Sequence, residues 1–199
     1  MRVLICCEFS GIVRDAFKAK GHDAWSCDLL PTEREGQHIQ GDVLDILNDG
    51  WDMILAFPPC TYLCVSGIRW IGHPKHPNRR ELQRQAIDFF MAFINSKAPK
   101  VVVENPISIM STKYRKPDQI IRPCMFGDDS NKATCLWLRK LPKLKPTNII
   151  EPGRHISASG RSWDKWFFDT SLISNLAERS KARSRTFQGV ADCMAATWG

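Results

Sequence analysis

Apolar runs and amphipathic stretches alternate along the first half of the chain. Arg2-Val3-Leu4-Ile5-Cys6-Cys7 is an apolar run ended by Glu8-Phe9-Ser10-Gly11, and Ile12, Val13, Phe17 and Ala19 then recur at helical spacing up to Gly21. This pattern predicts a strand, a tight turn and a helix. Asp23-Ala24-Trp25-Ser26-Cys27 predicts a second strand, with Asp28 at its end. The polar stretch from Pro31 to Gln40 reads as a loop. Gly41-Asp42-Val43 opens another short element, Asp45-Ile46-Leu47 predicts a helical turn, and Asn48-Asp49-Gly50 is a strong turn signal. Trp51 to Phe57 has the continuous apolar character of a strand buried on both faces. Pro58 and Pro59 then stop it, because neither can donate a ladder hydrogen bond.

Residues 61–78, rich in His, Pro and Gly and flanked by Arg69, Arg79 and Arg80, predict a mobile loop of a length that is often functional. Arg80 to Lys97 predicts an amphipathic helix whose core stripe is Leu82, Ala86, Phe89, Phe90, Phe93 and Ile94. Ala98-Pro99-Lys100 breaks it, and Val101-Val102-Val103 forms a buried strand that runs into Glu104-Asn105-Pro106. A helix between two strands implies a right-handed parallel crossover, which makes the strands ending at Phe57 and Val103 neighbours. Asn131 to Leu138 predicts a polar turn running into a strand. Arg179 to Gly199 predicts one amphipathic helix, basic at its start and apolar at Val190, Met194, Ala195 and Trp198.

A chain of 199 residues with 43% hydrophobic content supports one well-formed core. The net charge of +7 suits a polyanionic partner such as DNA, RNA or a nucleotide. Eight cysteines would suit a disulfide framework in a small secreted domain. Here an apparent core strand follows Met1 directly and no apolar stretch is long enough to span a bilayer, so the expectation is a cytoplasmic protein with reduced thiols and no membrane partner. Cys60, Cys64, His73 and His76 lack the ligand spacing of a zinc site, and no metal is expected.

Cys60 stands just past a strand's carboxyl end, the edge at which open α/β sheets bind ligands. A lone Pro-Cys pair would equally suit a buried free thiol. Glu104, at the end of the neighbouring strand, changes the balance: a nucleophile and an acid then share one sheet edge, both clamped by proline. The single glycine of Glu8-Phe9-Ser10-Gly11 allows backbone amides to face a ligand or simply marks a turn. Asp28 suits a ribose or a cap. Arg139-Lys140-Leu141-Pro142-Lys143-Leu144-Lys145-Pro146 either tracks phosphates or is solvated surface, and Trp163, Trp166, Phe167 and Phe168 either stack bases or belong to a core.

In these residues the sequence resembles the cytosine-5 DNA methyltransferases, over roughly positions 1–110 and in the family's order. Phe57-Pro58-Pro59-Cys60 looks like the Pro-Cys nucleophile loop and Glu104-Asn105-Pro106 like the Glu-Asn motif. Glu8-Phe9-Ser10-Gly11 looks like the first cofactor motif, Asp28 stands in the place of the ribose-binding acid, and Gly41-Asp42-Val43 looks like the motif that meets the adenine. The resemblance implies an α/β, Rossmann-like fold with a mostly parallel sheet and helices on both faces. It also implies S-adenosylmethionine as cofactor, held by Glu8, Phe9, Ser10, Gly11, Asp28, Asp42 and Pro58.

Cys60 and Glu104 would be catalytic, with Asn105, Lys132 and Thr134 at the substrate, although the family's arginine-bearing strand is not evident here. The organisation it implies is one catalytic domain over 1–199: a core over 1–110, a reduced substrate-recognition region over 111–178, and a C-terminal helix over 179–199 packing back on the core. DNA is the expected partner of a monomer from a bacterium or phage-infected cell. Three alternatives stand beside it: the same chemistry on a free nucleotide or single strand, transfer of a group other than methyl, and a non-catalytic nucleic-acid-binding protein.

Overall fold

The computed structural model describes residues 1–199. Seven strands form the main sheet: β1 (Arg2–Cys6), β2 (Asp23–Asp28), β3 (His38–Gln40), β4 (Met53–Ala56), β5 (Lys100–Pro106), β6 (Gln119–Ile121) and β7 (Thr134–Arg139). Their order is β3-β2-β1-β4-β5-β7-β6. The first five are parallel, and β7 runs antiparallel to both of its neighbours. This is the doubly wound Rossmann order with one antiparallel strand inserted before the last. The α/β, mostly parallel class expected from the sequence is the class observed.

Alternate residues of the buried strands feed two cores. Val3 and Ile5 of β1 pack with Val13 and Phe17 of α1 (Ile12–Ala19) and with Val190 and Met194 of α6 (Gln188–Trp198). Leu4 and Cys6 face the opposite side, where Phe90 and Phe93 of α2 (Arg79–Ile94) meet Trp137 of β7. Helices therefore cover both faces, and the expected core stripe of α2 reaches the sheet from Ala86 to Ile94, while Leu82 stays half-buried outside the core. Arg139 ends β7 by donating to the Ile94, Ser96 and Ala98 carbonyls, which satisfies backbone acceptors around the end of α2.

Four expectations change. First, β3 lies inside the stretch 31–40 that reads as a polar loop; it is an edge strand, and its pattern of half-buried and exposed residues gives no apolar signal. Second, the helix expected over 179–199 is two helices, α5 (Leu176–Ser184) and α6. Arg185 and Phe187 between them are extended, with ψ of 135° and 141°. Asn175 caps α5 by accepting from the Ala177 and Glu178 amides, and Arg185 is drawn off to a bidentate pair with Glu33.

Third, the region expected to be given over to substrate recognition, 111–178, supplies β6 and β7 to the main sheet, so the core runs past residue 110 to Arg139. The part built outside the sheet is a hairpin, β8 (Arg154–Ile156) and β9 (Ser162–Asp164), followed by α4 (Lys165–Ser171) and α5. Fourth, the segment 61–78 is tied down at its start. Leu63 is fully buried, the Val65 amide donates to the Ile107 carbonyl at 3.4 Å, and a 3-10 turn follows over Val65–Trp70.

Candidate active site

Parallel pairing of β4 with β5 in the register Ala56↔Val103 brings the two expected catalytic side chains to one edge. Cys60 follows β4 after the Pro-Pro stop, and Glu104 lies in β5 one residue beyond Val103. The Cys60 carbonyl accepts from the amides of Leu63 and Cys64 at 3.0 and 2.9 Å, folding the chain into a tight turn directly after the thiol. Cys60 and Glu104 line a single cleft of about 490 Å³, which is in the range of small-ligand pockets. Phe57 and Pro58 form part of its near side, Lys132 lies beside the carboxylate, and α5 contributes another wall.

The electrostatics follow from burial. Desolvation pushes the Cys60 thiol up to about 11, with Cys64 and the Glu104 charge adding to the rise and Lys132 opposing it. Glu104 is likewise raised by desolvation, against the pull of the Lys132 ammonium and the Thr134 hydroxyl. Burial therefore moves both groups toward their neutral forms, and Lys132 is the cation that acts against it on both. Its Nζ donates to the Arg183 carbonyl at 3.4 Å and lies 5.8 Å from the Trp166 ring centroid. Thr134 is almost fully buried on β7, opposite Pro106.

Asn105, expected at the substrate, is wholly buried, and its amide nitrogen donates to the Pro58 carbonyl at 3.0 Å. Its part is to hold the Cys60 loop against β5. Pro58 itself lines the Cys60 cleft.

A second crevice of about 180 Å³ adjoins the first and shares Cys7, Asp28 and Pro59 with it. Gly41, Asp42 and Phe89 complete much of its lining. It lies at the carboxyl ends of β1 and β2, next to the β1/β4 boundary where the strand order reverses. Asp28 accepts from the Leu30 amide and Asp42 from the Leu44 amide, both at 2.9 Å, so each caps a local turn while also lining the crevice. Desolvation raises the Asp28 carboxyl.

Of the first turn, Phe9 reaches the cleft, whereas Glu8 and Ser10 lie buried beneath it. The Ser10 hydroxyl donates to the Glu8 carboxylate, which also accepts from the Ile12 amide at 3.0 Å and so satisfies the start of α1. Gly11 takes the left-handed conformation, φ 75°, that this turn demands.

Cys7 is a site residue that the pattern of the sequence did not single out. It follows directly after β1 with φ 58°, a conformation uncommon for any residue but glycine, and lines both the cleft and the crevice. No sequence signal marks a cysteine for that backbone region. Arg14 was also missed. Its fully buried guanidinium donates to Ser26 and Thr32 and to the Arg34 and Glu35 carbonyls, fixing the loop that carries Leu30 to the cleft.

No protein-family model matches the chain, and no curated protein matches it. Among solved structures it is similar to one from an E. coli prophage, provisionally assigned there as a DNA modification methyltransferase. The identity is 16% and the TM-score 0.48, over 75% of this chain and 51% of that one. The chain thus spans about half the length of that protein. The functional reading rests on the site's own geometry.

Proposed function

We propose that this protein methylates C5 of cytosine in DNA, using S-adenosylmethionine and a transient covalent bond from Cys60 to C6 of the base. The observation that carries the reading is the convergence of Cys60 and Glu104, from adjoining strand ends, in one cleft that opens onto a second crevice at the sheet's reversal point.

C5 of cytosine is a poor nucleophile until a group adds at C6. Cys60 supplies that group: its thiol gives up its proton to solvent as the base docks, with the Lys132 charge favouring the thiolate, and the sulfur forms a bond to C6. Glu104, whose hold on its proton burial strengthens, donates at N3 and takes up the charge that the addition pushes there. The cofactor supplies an electrophilic methyl group on a sulfonium. Once C5 carries the methyl, its proton passes to solvent, that electron pair restores the C5–C6 double bond as the C6–S bond breaks, the released Cys60 thiolate takes a proton back from solvent, and N3 returns its proton to Glu104. In a duplex the base must first rotate out of the stack, because stacking hides the face that Cys60 attacks.

The residues around the crevice fit the cofactor's chemistry. Asp28 offers a carboxylate to a ribose diol, and one buried oxygen of Glu8, Oε2, has no hydrogen-bond partner in the turn before α1, where an ammonium would satisfy it. Asp42 lines the same crevice, and Phe9 and Pro58 line the adjoining Cys60 cleft.

The test is incubation with S-adenosylmethionine and, separately, duplex DNA, single-stranded DNA and dCMP, followed by digestion and mass spectrometry of the nucleosides. Methyl gain in DNA that is abolished by Cys60→Ser supports the reading. Undiminished gain with Cys60→Ser overturns the thiol adduct, gain only in dCMP moves the substrate to free nucleotides, and no gain in any tube overturns the activity.

A further inference from the structure

The basic residues around α5 divide by partner. Lys181 pairs with Glu178 at 3.7 Å, and Arg185, just past the helix, pairs with Glu33 at 2.6 Å. Arg179 and Arg183 have no carboxylate partner, and both line the cleft that holds Cys60 and Glu104. With Leu176 and Ser180 they occupy the positions of a single helical stripe. On most helices that stripe is apolar and meets a core; on α5 it is cationic and faces the cleft.

Both guanidiniums are tethered to α4 through neutral partners. Arg183 donates through Nε to the Thr170 hydroxyl at 3.0 Å and through Nη2 to the Phe167 carbonyl at 3.3 Å, and lies 4.3 Å over the Phe167 ring. Arg179 donates through Nη1 to the Ser171 carbonyl at 3.3 Å. Neutral partners leave both charges uncompensated, with most of their donors uncommitted. Residues one turn apart on a helix are neighbours, so the like charges repel. Burial, and then the Arg179 charge, bring the Arg183 guanidinium below its ordinary value. An anion placed between them would relieve the repulsion and accept the free donors bidentately.

We infer that Arg179 and Arg183 clamp one phosphate of the nucleotide whose base enters the Cys60 cleft, so that a bare nucleoside is a poor substrate. The inference rests on the methylation reading for the identity of the base. It adds a positioning site on α5, with the phosphate as the handle by which the base is presented to Cys60 and Glu104.

The experiment uses the full chain and a fluorescent single-stranded oligodeoxynucleotide with one cytosine, in which each phosphate around that cytosine is replaced in turn by a neutral methylphosphonate. Binding is read by anisotropy, and methyl transfer is followed on the same set. Neutralising one particular phosphate should weaken wild-type binding about tenfold, the scale of a lost charge-assisted hydrogen bond. The R179Q/R183Q double variant should bind the natural strand about tenfold more weakly and be indifferent to that replacement. R179K/R183K, which keeps the charge but not the bidentate fork, should retain part of the response, and K181Q should behave as wild type.

Wild-type binding that is absent, or indifferent to every replacement, overturns the clamp, as does a double variant that loses as much as wild type. Methyl transfer with indifferent binding overturns the clamp alone. Phosphate-dependent binding without transfer overturns the methylation reading and leaves the clamp standing.

Discussion

The Asn105 amide nitrogen lies 3.0 Å from the Pro58 carbonyl, a buried hydrogen bond that joins the end of β5 to the loop presenting Cys60. Proline cannot contribute an amide to a ladder, so the Pro58-Pro59 turn depends on a side chain for its attachment to the neighbouring strand. Asn105→Ala removes the donor and leaves the carbonyl buried without that partner. The expected outcome is a loss of about 1–3 kcal/mol in urea unfolding. Turnover number should fall while KM changes little, because the thiol rather than the binding walls is displaced.

The charge pattern around Cys60 predicts its reactivity. With the thiol pushed up to about 11, alkylation of the Cys60 peptide by iodoacetamide should rise steeply with pH through the alkaline range. Lys132→Gln removes the charge that opposes the rise and should slow alkylation at a fixed pH. Glu104→Gln removes the carboxylate that, once ionised at alkaline pH, adds to the rise, and should speed alkylation there. Peptide-resolved mass spectrometry separates Cys60 from the other thiols, and rates unmoved by either substitution would refute this account.

Glu104 also links stability to pH. Its folded-state value is raised, so the folded protein binds this proton more tightly than the unfolded chain does. The associated stability is present below the unfolded carboxyl value, about 4.3, and is lost as pH rises through the raised folded value. Glu104→Gln carries no such proton and should show a shallower decline in unfolding free energy over that window while abolishing methyl transfer. Glu8 is raised by burial in the same direction and should leave part of the decline in place.

Gly189, at the start of α6, approaches the Phe126 carbonyl so closely that a Cβ there would overlap it. Gly189→Ala should destabilise the protein by about 1–3 kcal/mol by forcing α6 off its seat, despite alanine's better helix propensity. A shift in the urea midpoint measures this, and an unchanged midpoint would refute the close approach.

The Glu33–Arg185 pair, about a third exposed on both sides, should contribute less than about 1 kcal/mol. Arg185 holds the Glu33 carboxyl below its ordinary value, so the contribution is present above the unfolded carboxyl value and lost as pH falls through the lowered one. A Glu33→Gln/Arg185→Gln double-mutant cycle should return a small coupling that disappears in high salt.

Strand β4 was legible because residues 51–57 form a continuous apolar run with a two-proline stop, and β5 because three valines run into Glu104. Their adjacency followed from the intervening helix, which places the candidate nucleophile beside the candidate acid. The position of β7 between β5 and β6 was not legible, since an apolar run says that a strand is buried and not which strand lies beside it. Nor was the break at Arg185, which depends on Glu33, 152 residues away. Lys132 could be named from its place in a polar turn, whereas the role of α5 was hidden because its stripe of cations looks in sequence like ordinary solvated surface.

Strand β6 precedes β7 in the chain yet pairs only with β7, which in turn pairs with β5. Synthesis therefore reaches residue 121 with a strand that has no place in the sheet, and Val101–Val103 form an open border until Arg139 has left the ribosome. Three consecutive valines on an unpaired border can recruit another chain's backbone. Nascent chains stalled between these two points should be the most dependent on chaperones of any along the molecule, and arrival of β7 covers the border and seats β6 in one step.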